Sequence, residues 1–339
     1  MLPEFGRKET ANSKKTIELE SRFFPEIEFL NKLKKCSCIE KMLFIFTEIK
    51  LILKNQNMKL SFMAAFLFGF SCLAQNNTDT SLYMKADKIS YLTDIGSESG
   101  DLYSTIGHHG PAVENEWMAL RIYFSDKVAI DVYSKAKPGL ELKKAQWYPT
   151  PAQQKEGWGA DYYKVGSTVG LGGVRLWDGE KVVPLNPVSN RLARVGKTDT
   201  TSYMEMISKG VPYKGKKVDI LVRVTVFSGK REAKVEAFSL GGERVQFVTG
   251  VNYFKDFGTK KGSNYIAVWG KHPEDVAAEI VEIGAAILFN PKDFVKNEDD
   301  GKQYLLISKP TKRLETKIIS ASARETEINT LDKLEAYIK

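Results

Sequence analysis

Residues 218–227 read Val218-Asp-Ile-Leu-Val-Arg-Val-Thr-Val-Phe227, and their alternation decides the fold class. Val218, Ile220, Val222, Val224 and Val226 take every second position, with Asp219, Arg223 and Thr225 between them. Successive side chains of a strand point to opposite faces, so this stretch offers one apolar face to a core and one face that tolerates charge. Residues 127–134 repeat the pattern, with Val128, Ile130 and Val132 set against Ala129, Asp131 and Tyr133. Further strand signals lie at 117–124, 234–240, 244–253, 265–269, 281–289 and 304–308, rich in β-branched and aromatic residues. Gly and Pro break them at Pro138-Gly139, Asp178-Gly179, Lys214-Gly215, Gly241-Gly242 and Asp300-Gly301. Many strands at short spacing without long helices predict an all-β chain, a large antiparallel β-sandwich with few helices. The helical signals are a turn at 273–279, acidic at its start, and a short C-terminal helix within 326–338 that places Ile328, Leu331, Leu334 and Ile338 on one face. No internal repeat or low-complexity linker marks a second domain.

The N-terminal quarter reads differently. Residues 58–74 carry Lys59, an uncharged apolar run over 60–70 and then Ser71-Cys-Leu-Ala74, the pattern of a secretory signal peptide too short to anchor in a bilayer. Cleavage is expected after Ala74; a lipidated Cys72 is the competing reading. Residues 1–57, upstream of that signal, are read as lying before the true start at Met58. The working domain is therefore expected at 75–339, exported, with the periplasm favoured over the extracellular medium. Cys36, Cys38 and Cys72 all precede the cleavage point, so the exported part has no thiol and no cysteine nucleophile, iron–sulfur cluster or thiolate zinc site. The chain of 339 residues carries +8, but residues 1–75 hold 12 basic and 8 acidic residues, leaving 38 against 34. That mild excess does not point to nucleic acid and is compatible with an anionic small substrate.

Unusual residues concentrate between Gly107 and Gly173. The segment opens Gly107-His-His-Gly-Pro-Ala-Val-Glu-Asn-Glu-Trp117. His108 and His109 precede Gly-Pro, in a loop at a strand mouth, and either can exchange a proton near neutral pH; the competing reading packs one and exposes the other. Glu114 and Glu116 are two apart, on one face of a strand. With the histidines they offer an oxygen and nitrogen metal site, an orienting group or bonds to sugar hydroxyls, without diagnostic metal spacing. No cofactor is expected, although a divalent cation is compatible with these residue types. Arg121 and Tyr123 share a face, as do Asp131, Tyr133 and Lys135, and a guanidinium grips a carboxylate bidentately; the alternative is a solvated polar sheet face. Trp158-Gly-Ala-Asp161 followed by Tyr162, Tyr163 and Lys164 combines an aromatic platform with acid, phenol and amine, suited to carbohydrate or to plugging a core. Gly166, Gly170, Gly172 and Gly173 lack the Lys-Ser/Thr and helix of a phosphate loop and read as tight turns or bulges.

Four stretches, 108–116, 121–124 (Arg-Ile-Tyr-Phe), 130–135 (Ile-Asp-Val-Tyr-Ser-Lys) and 158–166 (Trp-Gly-Ala-Asp-Tyr-Tyr-Lys-Val-Gly), resemble a family first described as a domain of unknown function. It is common in polysaccharide-utilisation clusters of marine Bacteroidota and is associated with oligosaccharide dehydratases of ulvan breakdown. The resemblance implies a galactose-mutarotase-like sandwich and loss of water from the non-reducing terminal glucuronate or iduronate of acidic, sulfated oligosaccharides, giving a 4,5-unsaturated end. Such chemistry needs a neutralised carboxylate, a base for the C5 proton and an acid for the departing 4-hydroxyl. The candidates are Arg121 with Lys135 or Lys164 for the carboxylate, His109 or His108 as base, and Tyr163 as acid or as base for the other epimer. Glu114, Glu116, Asp161 and Trp158 would orient histidine and hold sugar. Two other classes stay open: a carbohydrate-binding protein without turnover, and an eliminative lyase or epimerase on acidic sugars.

Overall fold

The computed structural model describes residues 77–273 and 279–339. The segments read as leader and signal peptide, 1–57 and 58–74, lie outside the described residues, as does most of the turn expected at 273–279. Strands are numbered along the chain. The largest sheet has nine, in the order β15 (Gly258–Lys261), β16 (Tyr265–Lys271), β17 (Glu282–Leu288), β20 (Arg313–Ser322), β13 (Ala233–Ser239), β12 (Lys216–Phe227), β11 (Thr201–Tyr213), β10 (Asn190–Lys197) and β4 (Asp94–Ser97). A second sheet orders β18 (Phe294–Asp299), β19 (Gln303–Ser308), β14 (Phe247–Asn252), β8 (Arg175–Trp177) and β9 (Val182–Val183). A third orders β1 (Asp79–Ser81), β5 (Ala112–Glu114), β6 (Met118–Ile122) and β7 (Ile130–Ser134), and β2 (Tyr83–Met84) pairs with β3 (Asp87–Tyr91). Neighbouring strands within each sheet are antiparallel. Among the described residues helix is confined to α1 (Leu142–Ala145), α2 (Pro151–Lys155), α3 (Leu331–Ile338) and short 3₁₀ turns.

The valines that carried the sequence reading do what their spacing requires. Val218, Ile220, Val222, Val224 and Val226 on β12 are buried, alternating with largely half-exposed residues. The hairpin from β11 to β12 closes through Lys214-Gly215, both at positive φ (49° and 77°), the two-residue turn whose twist matches its strands. One continuous core joins the inner face of the nine-stranded sheet (Met204, Val224, Val235, Ala285, Ile318) to Leu120, Ile122 and Val132 of the four-stranded sheet and Phe247, Val251 and Leu306 of the five-stranded sheet. That is a sandwich, each buried Val, Leu or Ile contributing about 1.5–3 kcal/mol.

Three long strands escaped the periodicity reading: β20, and β10 and β11, where charged or hydroxyl residues occupy the inward phase. On β10 the buried positions are Arg191, Ala193 and Val195; Arg191 is fully covered and donates to the carbonyls of Gly100, Ser125 and Leu185. On β11 Ser202, Glu205 and Ser208 are buried. The terminal helix starts at Leu331 rather than within 326–330, because Thr330 is extended and its side chain caps the Lys333 N–H.

β5, β6 and β7 are buried on both faces, and this is what positions the site. Their inner face is apolar. Their outer face, for which the sequence left a solvated sheet face as the alternative, is covered by the connection that follows β7, with Leu142, Ala145 and Trp147 packed on Ala112, Ala119 and Tyr133. Register puts Ala112 opposite Arg121 and Arg121 opposite Asp131, so Glu114, Arg121, Asp131 and Tyr133 share this covered face.

Candidate active site

Arg121 is the hub of the covered face. Its Nε and Nη2 donate to Asp131 Oδ2 at 3.0 and 2.5 Å, and Nη2 also lies 3.0 Å from Asp161 Oδ2. Nη1 donates to the Tyr148 hydroxyl (2.9 Å) and the His108 carbonyl (3.3 Å). The Trp147 ring covers the guanidinium at 4.3 Å. Tyr123 donates its hydroxyl proton to Asp131 Oδ2 at 2.6 Å. Arg121 is 3% exposed; burial alone would lower its pKa, but Asp131 and Asp161 outweigh that and hold it above its ordinary value. The expected carboxylate clamp is thus already closed on two carboxylates of the protein itself.

The two histidines part company, as one of the sequence readings allowed. Both lie in the turn Gly107–His109 at φ 55° and 57°, the left-handed region, where non-glycine residues are strained. Gly110 lets this turn lie against β6: a Cβ there would collide with the Ile122 carbonyl, and the Phe124 N–H bonds the His109 carbonyl at 2.9 Å. His108 is buried, with Nε2 2.7 Å from Ser81 Oγ; burial and the Arg121 charge push its pKa down to about 3, so it stays neutral. His109 is half-buried and stacked on Tyr103 with ring centroids 3.9 Å apart. Its Nδ1 lies 2.7 Å from the Tyr103 carbonyl, an acceptor only, so Nδ1 carries the proton and Nε2 keeps its lone pair. Burial lowers the His109 pKa, the Tyr103 bond opposes that, and the charges of Arg121 and Lys85 lower it further. The Lys85 ammonium sits 3.4 Å from Nδ1, on the Lys85-Ala86 turn between β2 and β3.

Tyr148 faces His109, ring centroids 6.3 Å apart. Tyr148 is 43% exposed, and because its oxygen accepts from Arg121 its own proton is free to be donated outward. Burial raises its pKa and Arg121 opposes that rise. A second pair of left-handed residues, Gln146 and Trp147 at φ 49° and 72°, delivers Trp147 and Tyr148 to the hub.

The other sequence candidates fall elsewhere. Glu114 and Lys135 form a closed pair at 2.6 Å; Lys135 also donates to the carbonyls of Asn115 and Gly139, and Glu114 accepts the N–H groups of Glu141 and Leu142 at the start of α1. Both are about 1% exposed, so their expected contact with substrate is corrected to a scaffolding role. Glu116 accepts the Gly229 N–H. The metal arrangement drawn from Glu114, Glu116 and histidine does not form, and among the described residues no three His, Cys, Asp or Glu side chains gather as metal ligands. Trp158 is half-buried against the Tyr133 and Trp147 layer, its carbonyl accepting from Arg324. Tyr163 is fully buried, its ring 4.3 Å from that of His272, its hydroxyl unbonded and its pKa raised well above normal by burial, which corrects its placement as the acid. The Lys164 main chain is tied to His272 Nδ1 and Asn252 Nδ2. Sequence reasoning missed Tyr148, Trp147, Tyr103 and Lys85. The first two stand in Gln146-Trp-Tyr-Pro149, inside the flagged region, whereas Tyr103 and Lys85 lie before it and carried no signal.

A family model described as "Domain of unknown function (DUF4861)" matches residues 71–339. No curated protein matches the sequence. Among solved structures, one assigned as an aldose 1-epimerase from Klebsiella pneumoniae has 10% identity and a TM-score of 0.34, over 76% of this chain and 94% of that one. A 4-alpha-glucanotransferase from Thermococcus litoralis has 12% identity and a TM-score of 0.31, over 63% of this chain; the match spans 38% of the glucanotransferase.

Proposed function

The chain belongs to the family described as Domain of unknown function (DUF4861), and on that premise we propose that it is a hydro-lyase, an oligosaccharide dehydratase. Its substrate is the non-reducing terminal glucuronate or iduronate of an acidic, sulfated oligosaccharide of the ulvan type, met after export to the periplasm. The observation that carries this reading is the facing pair His109 and Tyr148. Each is fixed through one polar atom, to the Tyr103 carbonyl and to Arg121, and each keeps its reactive function open.

His109 Nε2 takes the C5 proton as the C5–H electron pair forms the C4–C5 double bond. The C4–O bond breaks, and the departing oxygen takes the Tyr148 proton and leaves as water. Arg121, donating to Tyr148 Oη, stabilises the transient phenolate. The proton on His109 returns to Tyr148 through solvent, and the enzyme is restored. The four stretches that resemble the dehydratases contribute Arg121, Asp131 and Asp161 to one cluster and His109 to the group facing Tyr148, which Arg121 bonds; this supports the assignment.

The test is mass spectrometry of saturated uronate-ended ulvan oligosaccharides incubated with the protein. Loss of one water at constant chain length, with new enoate absorbance, is the expected result. Release of a sugar would reassign the protein to eliminative lyases, and unchanged mass with measurable binding would make it a carbohydrate-binding protein.

A further inference from the structure

β-Elimination next to a carboxylate requires a cation or strong donors on that carboxylate. Arg121 is held by Asp131 and Asp161, and Lys135 is held by Glu114. Neither has charge to offer. The ammonium that contacts the histidine and faces no acid is Lys85. Among the described residues no carboxylate lies within salt-bridge distance of its Nζ, and its one polar neighbour, His109 Nδ1, is itself a donor committed to the Tyr103 carbonyl. The Lys85 ammonium, with no acid beside it, keeps its donors for an anion next to His109, and that is the seat.

The seat is built rather than incidental. Lys85 is one of the two residues of the β2–β3 turn, and its backbone N–H is fixed to the Thr105 carbonyl at 2.9 Å. Tyr83, at the base of the same hairpin, packs its ring edge-on against His108 at 4.9 Å. The hairpin is thereby referenced to the histidine turn at both ends.

We propose that Lys85 receives the substrate carboxylate beside His109, making the β2–β3 turn the anion-recognising element of the site. This rests on the dehydratase reading for the identity of the anion as a uronate. Lys85 then does two things at once: it draws charge from the carboxylate, acidifying C5–H, and as a neighbouring cation it keeps His109 unprotonated.

The experiment follows the His109 ring proton resonance by NMR during titration with methyl β-D-glucuronide, and with methyl β-D-glucoside as the neutral twin. The wild-type protein, Lys85→Gln and Lys85→Arg are compared. The expected outcome is a His109 shift with the glucuronide, about 10- to 100-fold weaker binding in Lys85→Gln, recovery in Lys85→Arg, and no dependence on Lys85 for the glucoside. The free Lys85→Gln protein should also titrate His109 at higher pH than wild type. Glucuronide binding unchanged in Lys85→Gln, an equal loss for the glucoside, or no His109 shift in the wild type would each overturn the proposal. The two ideas fail separately. Lys85-dependent glucuronide binding without water loss retires the dehydratase and keeps the anion seat; water loss with an unaffected Lys85→Gln retires the seat and keeps the dehydratase.

Discussion

Two buried cations stand on the same covered face of one small sheet, Arg121 on β6 and Lys135 just beyond β7, and each is neutralised by carboxylates of the protein. Around Lys135 every partner is internal: Glu114, two main-chain carbonyls, and through Glu114 the start of α1. The set is sealed. Around Arg121 the hydrogen bonds continue outward, through the hydroxyl of Tyr148, a 43% exposed residue whose ring faces His109. Strained backbone is likewise gathered on the Arg121 side, at His108–His109 and Gln146–Trp147. Charge type and burial therefore do not separate scaffold from chemistry here. What separates them is whether the network ends on a group that solvent and substrate can reach.

Substitutions can break or sharpen that contrast. Lys135→Met strands a buried Glu114, and the expected effect is about 3–5 kcal/mol of lost stability in denaturant titration, with turnover per folded molecule unchanged. His109→Gln should leave the melting temperature in place and lower turnover by about 10²–10⁴. Tyr148→Phe removes one exposed hydroxyl; a loss of about 10² in turnover with native stability is expected from steady-state rates and thermal melts. The pH dependence gives a smaller signal. Because the His109 pKa is depressed, the base stays neutral to lower pH than an ordinary histidine, and the acid limb of kcat/KM should fall below about 6.5; a limb at or above that value contradicts the assignment. Stability carries the same sign. His108 and His272 are pushed down to about 3, so between there and about 6.5 the unfolded chain binds more protons and stability is lost as pH falls through that window. His108→Asn should flatten the decline in melting temperature between pH 7 and 4. Smallest of all, Tyr163→Phe deletes a buried hydroxyl with no side-chain partner; activity should stay within error, and the melting temperature should hold or rise slightly because a poorly paired buried hydroxyl is itself costly.

The fold was legible where alternation was clean. β12 and β7 show their valine and isoleucine phase directly, whereas Arg191 and Ser202 hid β10 and β11 by placing polar atoms in the inward phase. The site was legible as a region and partly as residues. Arg121 and Asp131 were identified and meet, because register across β6 and β7 is set locally, and Asp161 joins them from beyond α2. Lys135 and Glu114 were identified with equal reason but pair with each other, a fact fixed by the fold of 139–142 over them and invisible in residue type. Tyr163 and Tyr148 are both tyrosines of one flagged region; Tyr163 is buried against His272, distant in sequence, whereas Tyr148 is open, and residue type shows neither.

The most direct measurement is the initial rate of enoate formation on uronate-ended oligosaccharides, per folded molecule, in Tyr148→Phe beside Lys135→Met. A drop of about 10² in the first with the second at the wild-type rate is the predicted result. The reverse pattern, an active Tyr148→Phe and a silent but folded Lys135→Met, would contradict it and move the chemistry to the sealed pair.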